Sequence, residues 1–303
     1  MALLLASCSR PSWQHDSGLV FGTVYNIAYE YGESLQGDID EALLQVDQEF
    51  SLFNAASTVA RINRGDSTVE RSPMFLEVCQ LAQTVSQATG GAFDITVAPL
   101  VNAWGFGFKH EQTPTPAQVD SLLQIRTQMD FAAIAKGYGC DVVSRLLDGR
   151  GVANYMVEIG GEVVVRGHNP NGDLWHIGIN KPMDESPSPF GGELQEVLSL
   201  TDIAMATSGN YRNYYYKDGR KNAHTIDPRS GYPVQHDLLS ATVLAADCAT
   251  ADAFATSFMV LGLDSARAVL DSHPTLMAYL IYAAPDGSQQ VWHSPTLTQC
   301  IDH

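Results

Sequence analysis

The sequence predicts a globular chain of mixed helices and strands, and three observations support this prediction. The 303 residues are 45% hydrophobic and 17% charged, which is typical of a folded protein with an ample core. Residues 18–29 (GLVFGTVYNIAY) alternate β-branched and aromatic residues as a strand does. From about Asp38, apolar residues recur instead at helical spacing. The length suits one large domain or two ordinary ones.

Start signals predict three further helices in the first half of the chain. Ser72-Pro73 opens one that ends at Gly90-Gly91, and Thr115-Pro116-Ala117-Gln118 supplies an N-cap, a first-turn proline and a glutamine. Within residues 131–147 (FAAIAKGYGCDVVSRLL), Val142, Val143, Leu146 and Leu147 continue a third helix, whose first turn contains small residues and Gly137. Such a turn either lets the backbone approach an anionic ligand or packs closely against a neighbouring element.

Residues 90–107 (GGAFDITVAPLVNAWGFG) are interpreted as a short apolar strand that carries Asp94. A carboxylate in an apolar run is costly to bury without partners. We therefore expect Asp94 to lie at a strand end, to bind something, or to form an Asx turn or helix cap.

The second half of the chain is predicted to be mostly strand, with a helix at 249–262 and an exposed loop at 182–192. Residues 207–210 (TSGN) and the tyrosines after them are interpreted as an amphipathic strand, whose polar turn could instead line a site. The other predicted strands are two at 154–167 that join at Gly160-Gly161, and single strands at 174–180, 194–200, 203–206, 239–245, 277–283 and 289–293.

The net charge of −17 argues against binding to nucleic acid or to an anionic membrane through the overall field. A phosphate-bearing ligand would need a local cation. The sequence contains no HExxH, P-loop, GxSxG or GxGxxG motif, which removes several enzyme classes. Its five cysteines include no CxxC pair, and their spacing leaves disulfide pairing open.

The first residues, Met1 to Ser9, end in Leu-Ala-Ser-Cys-Ser, which resembles the bacterial lipobox around Cys8. The basic region of a signal peptide is missing and the apolar run is short, so either the start is truncated or the likeness is chance. We expect truncation. Because no other stretch approaches the roughly 20 apolar residues of a membrane span, the protein would be anchored and not spanning.

Two local patterns carry candidate chemistry. Residues 224–231 (HTIDPRSG) read as a strand end that runs into a tight turn, and the alternative is a surface turn with a capping aspartate and a solvated arginine. Asp252 and Thr256 are four residues apart and share one helix face. Their oxygens suit a hard cation such as Mg²⁺, although this spacing is common by chance.

Taken in order, seven motifs resemble the ApbE family of FAD:protein FMN transferases from about residue 18 to 283. They are GTVY, GGAFDITVAPLVNAWGFG, DFAAIAKGYGCD, EIGGEVVVRGHNP, ATSGNYRNY, HTIDPRSG and ADAFAT. The resemblance implies an α+β fold of two tandem T-fold-like halves, with FAD in the cleft between them. It places one domain at 18–293, a signal remnant and tether at 1–17 and a tail at 294–303.

The same resemblance implies a role for each matching residue. The catalytic base would be His224. Mg²⁺ would be bound by Asp252, Thr256 and the main-chain carbonyl of Ala133. FAD would be contacted by Phe21, Phe53, Ala92, Phe93, Asp94, Asp130, Lys136 and the main chain near Ile226.

The implied reaction transfers the FMN moiety of FAD to a Thr or Ser hydroxyl of an acceptor protein and releases AMP. The acceptor would be a subunit of a membrane redox complex, and the protein would face the periplasm, anchored through a lipid on Cys8. Phe53 departs from the family, which often has tyrosine there, and DFAAIAKG departs mildly from DLxxIAKG. The alternatives are a magnesium-dependent FAD pyrophosphatase and a non-catalytic flavin-binding lipoprotein.

Overall fold

A computed structural model describes residues 12–107, 113–125, 127–182, 193–210, 214–217, 220–223 and 225–302. These residues form twelve strands: β1 (Ser12–Val20), β2 (Thr23–Tyr31), β3 (Tyr155–Ile159), β4 (Glu162–Arg166), β5 (Trp175–Asn180), β6 (Leu194–Leu200), β7 (Ile203–Gly209), β8 (Tyr214–Lys217), β9 (Arg220–Ala223), β10 (Leu238–Ala245), β11 (Met277–Ala283) and β12 (Gln289–His293).

The helices are α1 (Gln36–Phe50), α2 (Thr58–Asn63), α3 (Pro73–Ala88), α4 (Ala98–Ala103), α5 (Pro116–Leu122), α6 (Ala135–Gly149), α7 (Cys248–Leu261) and α8 (Leu263–Ser272), with 3-10 turns at Ile95–Val97 and Pro295–Cys300. The predicted helix starts are confirmed. Ser72 and Thr115 cap α3 and α5, and Thr115 and Gln118 form a capping box.

An antiparallel sheet of eight strands, in the order β1-β2-β3-β4-β7-β10-β11-β12, carries the fold. Its halves repeat one plan, in which helices connect a first pair of neighbouring strands to a second pair. The halves meet at β4 and β7, where Val163 pairs with Met205. The implied α+β fold with tandem halves is therefore confirmed.

The two faces of the sheet are covered differently. Helices α1, α3, α6 and α7 pack on one face, where Tyr25, Val157 and Val243 are buried. The other face packs against the separate hairpin β5–β6 and the 3-10 turn at Pro295–Cys300, which buries Leu297. Burial on both faces explains why β4 (EVVVR) carries three consecutive valines instead of alternating apolar and polar residues.

Two sequence predictions were wrong, both because of a local turn. Residues 18–29 form a hairpin and not a single strand, since Phe21 and Gly22 take φ values of 52° and 76° and reverse the chain between Val20 and Thr23. Residues 95–103 form a 3-10 turn and a helix instead of a strand.

The folded region also extends past the predicted domain boundaries. Strand β1 begins at Ser12, before the boundary at residue 18, and Leu297 is buried beyond the boundary at 293. Most of the predicted 182–192 loop lies outside the described residues. Among the helices of the described ranges, none has the length and hydrophobicity to cross a membrane. The four described cysteines are free thiols.

Candidate active site

A cavity of about 810 Å³ opens where the starts of α6 and β4 meet β7 and α7. Small-molecule sites occupy roughly 300–1,000 Å³, so this volume suits a large cofactor. Residues from six separate segments of the chain form its wall. Those among the predicted site residues are Ala92, Phe93, Asp94, Asp130, Ala133, Lys136, Ile226, Asp252 and Thr256. The fold brings these positions together, and their individual roles stay predictions.

Asp94 and Asp130 line one side of the cavity. Asp94 caps the 3-10 turn, because its Oδ1 accepts hydrogen bonds from the N–H and the hydroxyl of Thr96 at 2.8 and 2.6 Å. The helix-cap expectation for Asp94 is thus confirmed. Asp130 donates its N–H to the Ile95 carbonyl, and its carboxylate accepts from the Ala132 N–H at 2.8 Å. Burial raises the pKa of the Asp130 carboxyl.

The first turn of α6 lies against the backbone of α7. A Cβ on Gly137 would be 2.3 Å from the carbonyl oxygen of Cys248, so close helix packing explains the small residue there. The Gly137 N–H also donates to Oδ2 of Asp252 at 3.2 Å. The positive end of the α6 dipole therefore faces a buried carboxylate at the cavity wall.

Lys136, Glu162 and Asp252 form a charge cluster on this wall. The Lys136 ammonium donates to Oε1 of Glu162, and the two carboxylate residues are only 2% and 3% exposed. Burial raises the pKa of both carboxyls, while the lysine opposes the shift. For Lys136, burial lowers the pKa, but attraction to the two carboxylates outweighs it and the net shift is upward. The lysine stays protonated beside two carboxylates whose charge is costly to bury.

Asp252 and Thr256 lie one turn apart on α7 and both line the cavity, as Ala133 does. The Thr256 hydroxyl is 2.9 Å from the hydroxyl of Ser208 on β7. A carboxylate, a hydroxyl and a main-chain carbonyl fit Mg²⁺, which takes few protein oxygens and completes its shell with waters and phosphates. In the described part of the chain, no three His, Cys, Asp or Glu side chains cluster to hold a metal ion. A cation bound at this wall would therefore be held by the carboxylate, hydroxyl and main-chain carbonyl oxygens together.

Residues 225–231 of the HTIDPRSG motif form a closed turn at the edge of the cavity. Ile226 pairs with Pro233, and Gly231 donates its N–H to the carbonyl of Asp227 at 2.7 Å. The Arg229 guanidinium donates two hydrogen bonds of 2.9 Å to the Asp227 carboxylate. Asp227 also accepts from the Arg229 N–H, so the capping aspartate of the surface-turn interpretation is present, but Arg229 is paired with it. Ile226 lines the cavity.

The turn is held in place by its neighbours. The indole N–H of buried Trp104 donates to the carbonyl of Gly231 at 2.7 Å, and Leu100, Val119 and Ile226 pack with Trp104 in a small core. The predicted base, His224, precedes this turn and lies outside the described residues.

Phe21 and Phe53 line a smaller cavity of about 270 Å³ that shares the walls at Phe106, Asp130 and Lys136 with the main one. Phe21 occupies the β1–β2 turn and packs against Gly139, where an added Cβ would lie 2.8 Å from its ring. Phe53 is 88% exposed. The two phenylalanines therefore flank the cofactor-sized cavity without lining it.

Sequence reasoning did not single out Glu162, Thr207 or Thr225, which line the main cavity. It did note that the polar Ser-Gly-Asn turn at 208–210 could line a site, and Ser208 and Gly209 do so. A usable signal for Glu162 was present, because it is a lone acidic residue between a Gly-Gly turn and a run of buried valines.

The comparisons with known proteins agree with this geometry. Residues 21–281 match the sequence profile of the ApbE family. The "FAD:protein FMN transferase" of Vibrio cholerae is 38% identical over 91% of this chain and 90% of its own length. The "FAD:protein FMN transferase" of Haemophilus influenzae is 34% identical over 95% of this chain and 92% of its own length. The structure superposes on the flavin transferase ApbE of Vibrio cholerae with a TM-score of 0.83, at 32% identity, covering 96% of this chain and 99% of that one. The apo flavinyl transferase ApbE of Pseudomonas stutzeri superposes with a TM-score of 0.83 at 28% identity, and the match covers 99% of this chain and 98% of that one. The chain belongs to the ApbE family.

Proposed function

We propose that this protein is an FAD:protein FMN transferase, which moves the FMN moiety of FAD to a Thr or Ser hydroxyl of an acceptor protein and releases AMP. The observation that carries the proposal is the main cavity, where the family-motif residues of six chain segments converge. Its size suits a dinucleotide, and its wall combines one fixed cation with buried oxygen ligands.

The reaction requires the phosphates of FAD to approach a strongly acidic protein, so a local cation is needed. Asp252, Thr256 and the Ala133 carbonyl would hold Mg²⁺. When bound, the ion supplies charge neutralisation for the leaving AMP and polarises the phosphorus under attack.

The remaining steps fall to the chain itself. The Lys136 ammonium, protonated and hydrogen-bonded to Glu162, lines the cavity. His224 would take the proton of the acceptor hydroxyl as general base. The new bond joins the acceptor oxygen to the phosphorus of the FMN moiety, and the bond that breaks is the pyrophosphate P–O bond to AMP.

The test is to incubate the protein with FAD, Mg²⁺ and an acceptor domain that other ApbE-family transferases flavinylate. The mass of the acceptor and the release of AMP are followed together. Asp252→Ala should reduce acceptor labelling by about 100-fold or more, because it removes the buried carboxylate proposed to hold the cation. Asp264→Ala is the matched control, since that aspartate is 97% exposed on α8.

The outcomes separate the candidate functions. Acceptor mass gain with AMP release, dependent on Mg²⁺, supports transfer. FMN and AMP without acceptor labelling would instead establish the pyrophosphatase, in which water replaces the hydroxyl. FAD that stays bound and unchanged would leave a flavin-binding protein, and full activity of Asp252→Ala would refute the cation assignment.

The cellular setting is a separate proposal that rests on the Leu-Ala-Ser-Cys sequence at Cys8, a residue outside the described ranges. A lipid on Cys8 would hold the protein at the periplasmic face of the membrane, beside an acceptor in a membrane redox complex. Expression with a complete signal peptide, followed by fatty-acid labelling of wild type and Cys8→Ser, tests this. Equal labelling of the two proteins would contradict the anchor.

A further inference from the structure

Glu162 lines the main cavity, but the chemistry proposed above does not use it. It is the first residue of β4 and is 2% exposed. Its Oε1 accepts a hydrogen bond from Lys136, whereas its Oε2 is buried and has no hydrogen-bond partner among the described residues. A buried carboxylate oxygen without a donor costs stability. Packing alone therefore does not explain why a glutamate occupies this buried position.

The charge of the cavity wall depends on this carboxylate. When the three groups of the cluster are ionised, Glu162 and Asp252 supply two negative charges and Lys136 supplies one positive charge, and the carboxyl groups of Asp94 and Asp130 also line the cavity. The wall alone thus repels phosphate groups, and the net charge of the chain adds to the repulsion. Without the charge of Glu162, the positive charge of Lys136 would balance the negative charge of Asp252 within this cluster.

We propose that Glu162 makes the binding of FAD depend on a divalent cation. By pairing with Lys136, it withholds the ammonium charge from the pyrophosphate, so the phosphates bind strongly only together with the cation. In thermodynamic terms, Glu162 increases the coupling free energy between the two ligands. It is a positioning residue that acts through Lys136. The inference rests on the proposed function, because it assumes that FAD and the cation share this cavity.

The experiment measures the dissociation constant of FAD by flavin fluorescence, once with EDTA and once with saturating Mg²⁺. Wild type and Glu162→Gln are compared at a pH at which Glu162 is ionised. In EDTA, Glu162→Gln should bind FAD about tenfold more tightly, a size within the usual range of coupling between neighbouring charges. In Mg²⁺ its affinity should not improve, so the ratio of the two dissociation constants falls.

Three control variants test whether the change in FAD affinity arises from Glu162 acting through Lys136. Glu158→Gln makes the same charge change on β3, where Glu158 accepts hydrogen bonds from Asn26 and Gly161 and does not line the cavity. It should leave the ratio unchanged. Lys136→Gln should bind FAD more weakly than wild type, and adding Glu162→Gln to it should give no further gain in EDTA.

Each contrary result overturns a stated part of the inference. Weaker FAD binding of Glu162→Gln in both buffers, with a lower unfolding temperature, would make the residue structural. If Glu162→Gln tightens FAD binding in EDTA equally in the Lys136→Gln protein, the residue does not act through Lys136. If wild type binds no FAD in either buffer, the proposed function itself fails, and that outcome is distinct from both others.

Discussion

Replacing Gly137 by Ala tests whether the structure of the main cavity depends on the close approach of α6 and α7. The added methyl would lie 2.3 Å from the Cys248 carbonyl oxygen and 2.9 Å from the Cα of Ala249. Real Cβ contacts essentially never fall below 3.0 Å. These obstacles are backbone atoms at the start of a helix, so the two helices must separate. That movement stretches the 3.2 Å hydrogen bond from Gly137 to Asp252.

The size of the effect follows from three contributions. Forcing a methyl into a packed contact costs about 1–3 kcal/mol. Losing a hydrogen bond to a buried carboxylate costs about 1.5–3 kcal/mol, and the better helix propensity of alanine returns about 1 kcal/mol. We expect the free energy of unfolding to fall by about 1.5–5 kcal/mol. Affinity for FAD with Mg²⁺ should fall as well, because Asp252 moves.

Urea unfolding followed by circular dichroism measures the stability, and flavin fluorescence measures the affinity. Gly149→Ala is the matched control in the same helix, since an added Cβ there meets nothing within 4 Å. It should be neutral or stabilising by up to about 1 kcal/mol.

A Gly137→Ala protein within about 0.5 kcal/mol of wild type, with unchanged FAD affinity, would refute the steric argument. Normal stability with lost FAD binding would instead support the alternative drawn from the sequence, in which Gly137 lets the backbone approach the ligand.

Three further predictions concern other parts of the molecule. His224→Ala should slow acceptor labelling by about 100-fold or more while keeping the FAD dissociation constant, and lost FAD binding would contradict its role as a base. Burial raises the pKa of Asp141 from 3.8 to about 7. The folded state then holds a proton that the unfolded state releases, so the free energy of unfolding should fall as pH rises between these values and level off above them. Asp141→Asn should flatten that profile in urea titrations, and an unchanged profile would exclude Asp141 as its source. Trp104→Phe should cost about 1–3 kcal/mol in urea unfolding, because it leaves the Gly231 carbonyl without its donor, and should weaken FAD binding. Unaltered FAD binding would show that the HTIDPRSG turn keeps its position without this bond.

The sequence predicted the elements whose signals are local. Ser72 and Thr115 mark helix starts through their own side chains, and the Gly160-Gly161 pair marks a hairpin. The β1–β2 turn was not predicted, because alternation continues through it and a phenylalanine with positive φ gives no sequence signal. At 95–103 the apolar run hid a 3-10 turn that Asp94 caps and the short helix α4 that follows it.

The site was predictable only where a motif marked it. Asp252 and Thr256 could be paired by their helical spacing, and the structure puts both on the cavity wall. Glu162 and Lys136 are 26 residues apart, and their contact arises only when β4 packs beside α6. Burial of a charge is a tertiary property, so sequence reasoning could not assign this pair.

The position of the cavity across the two halves of the sheet has a consequence for the newly made chain. Asp94 and Lys136 precede the junction of β4 with β7, whereas Ser208 and Asp252 follow it. Under the proposed function, a growing polypeptide therefore has no complete FAD cavity until α7 has been synthesised and the two halves have docked. FAD would then bind only the folded chain and would stabilise both halves together through mass action. Prematurely terminated chains that lack α7 would not form the proposed site.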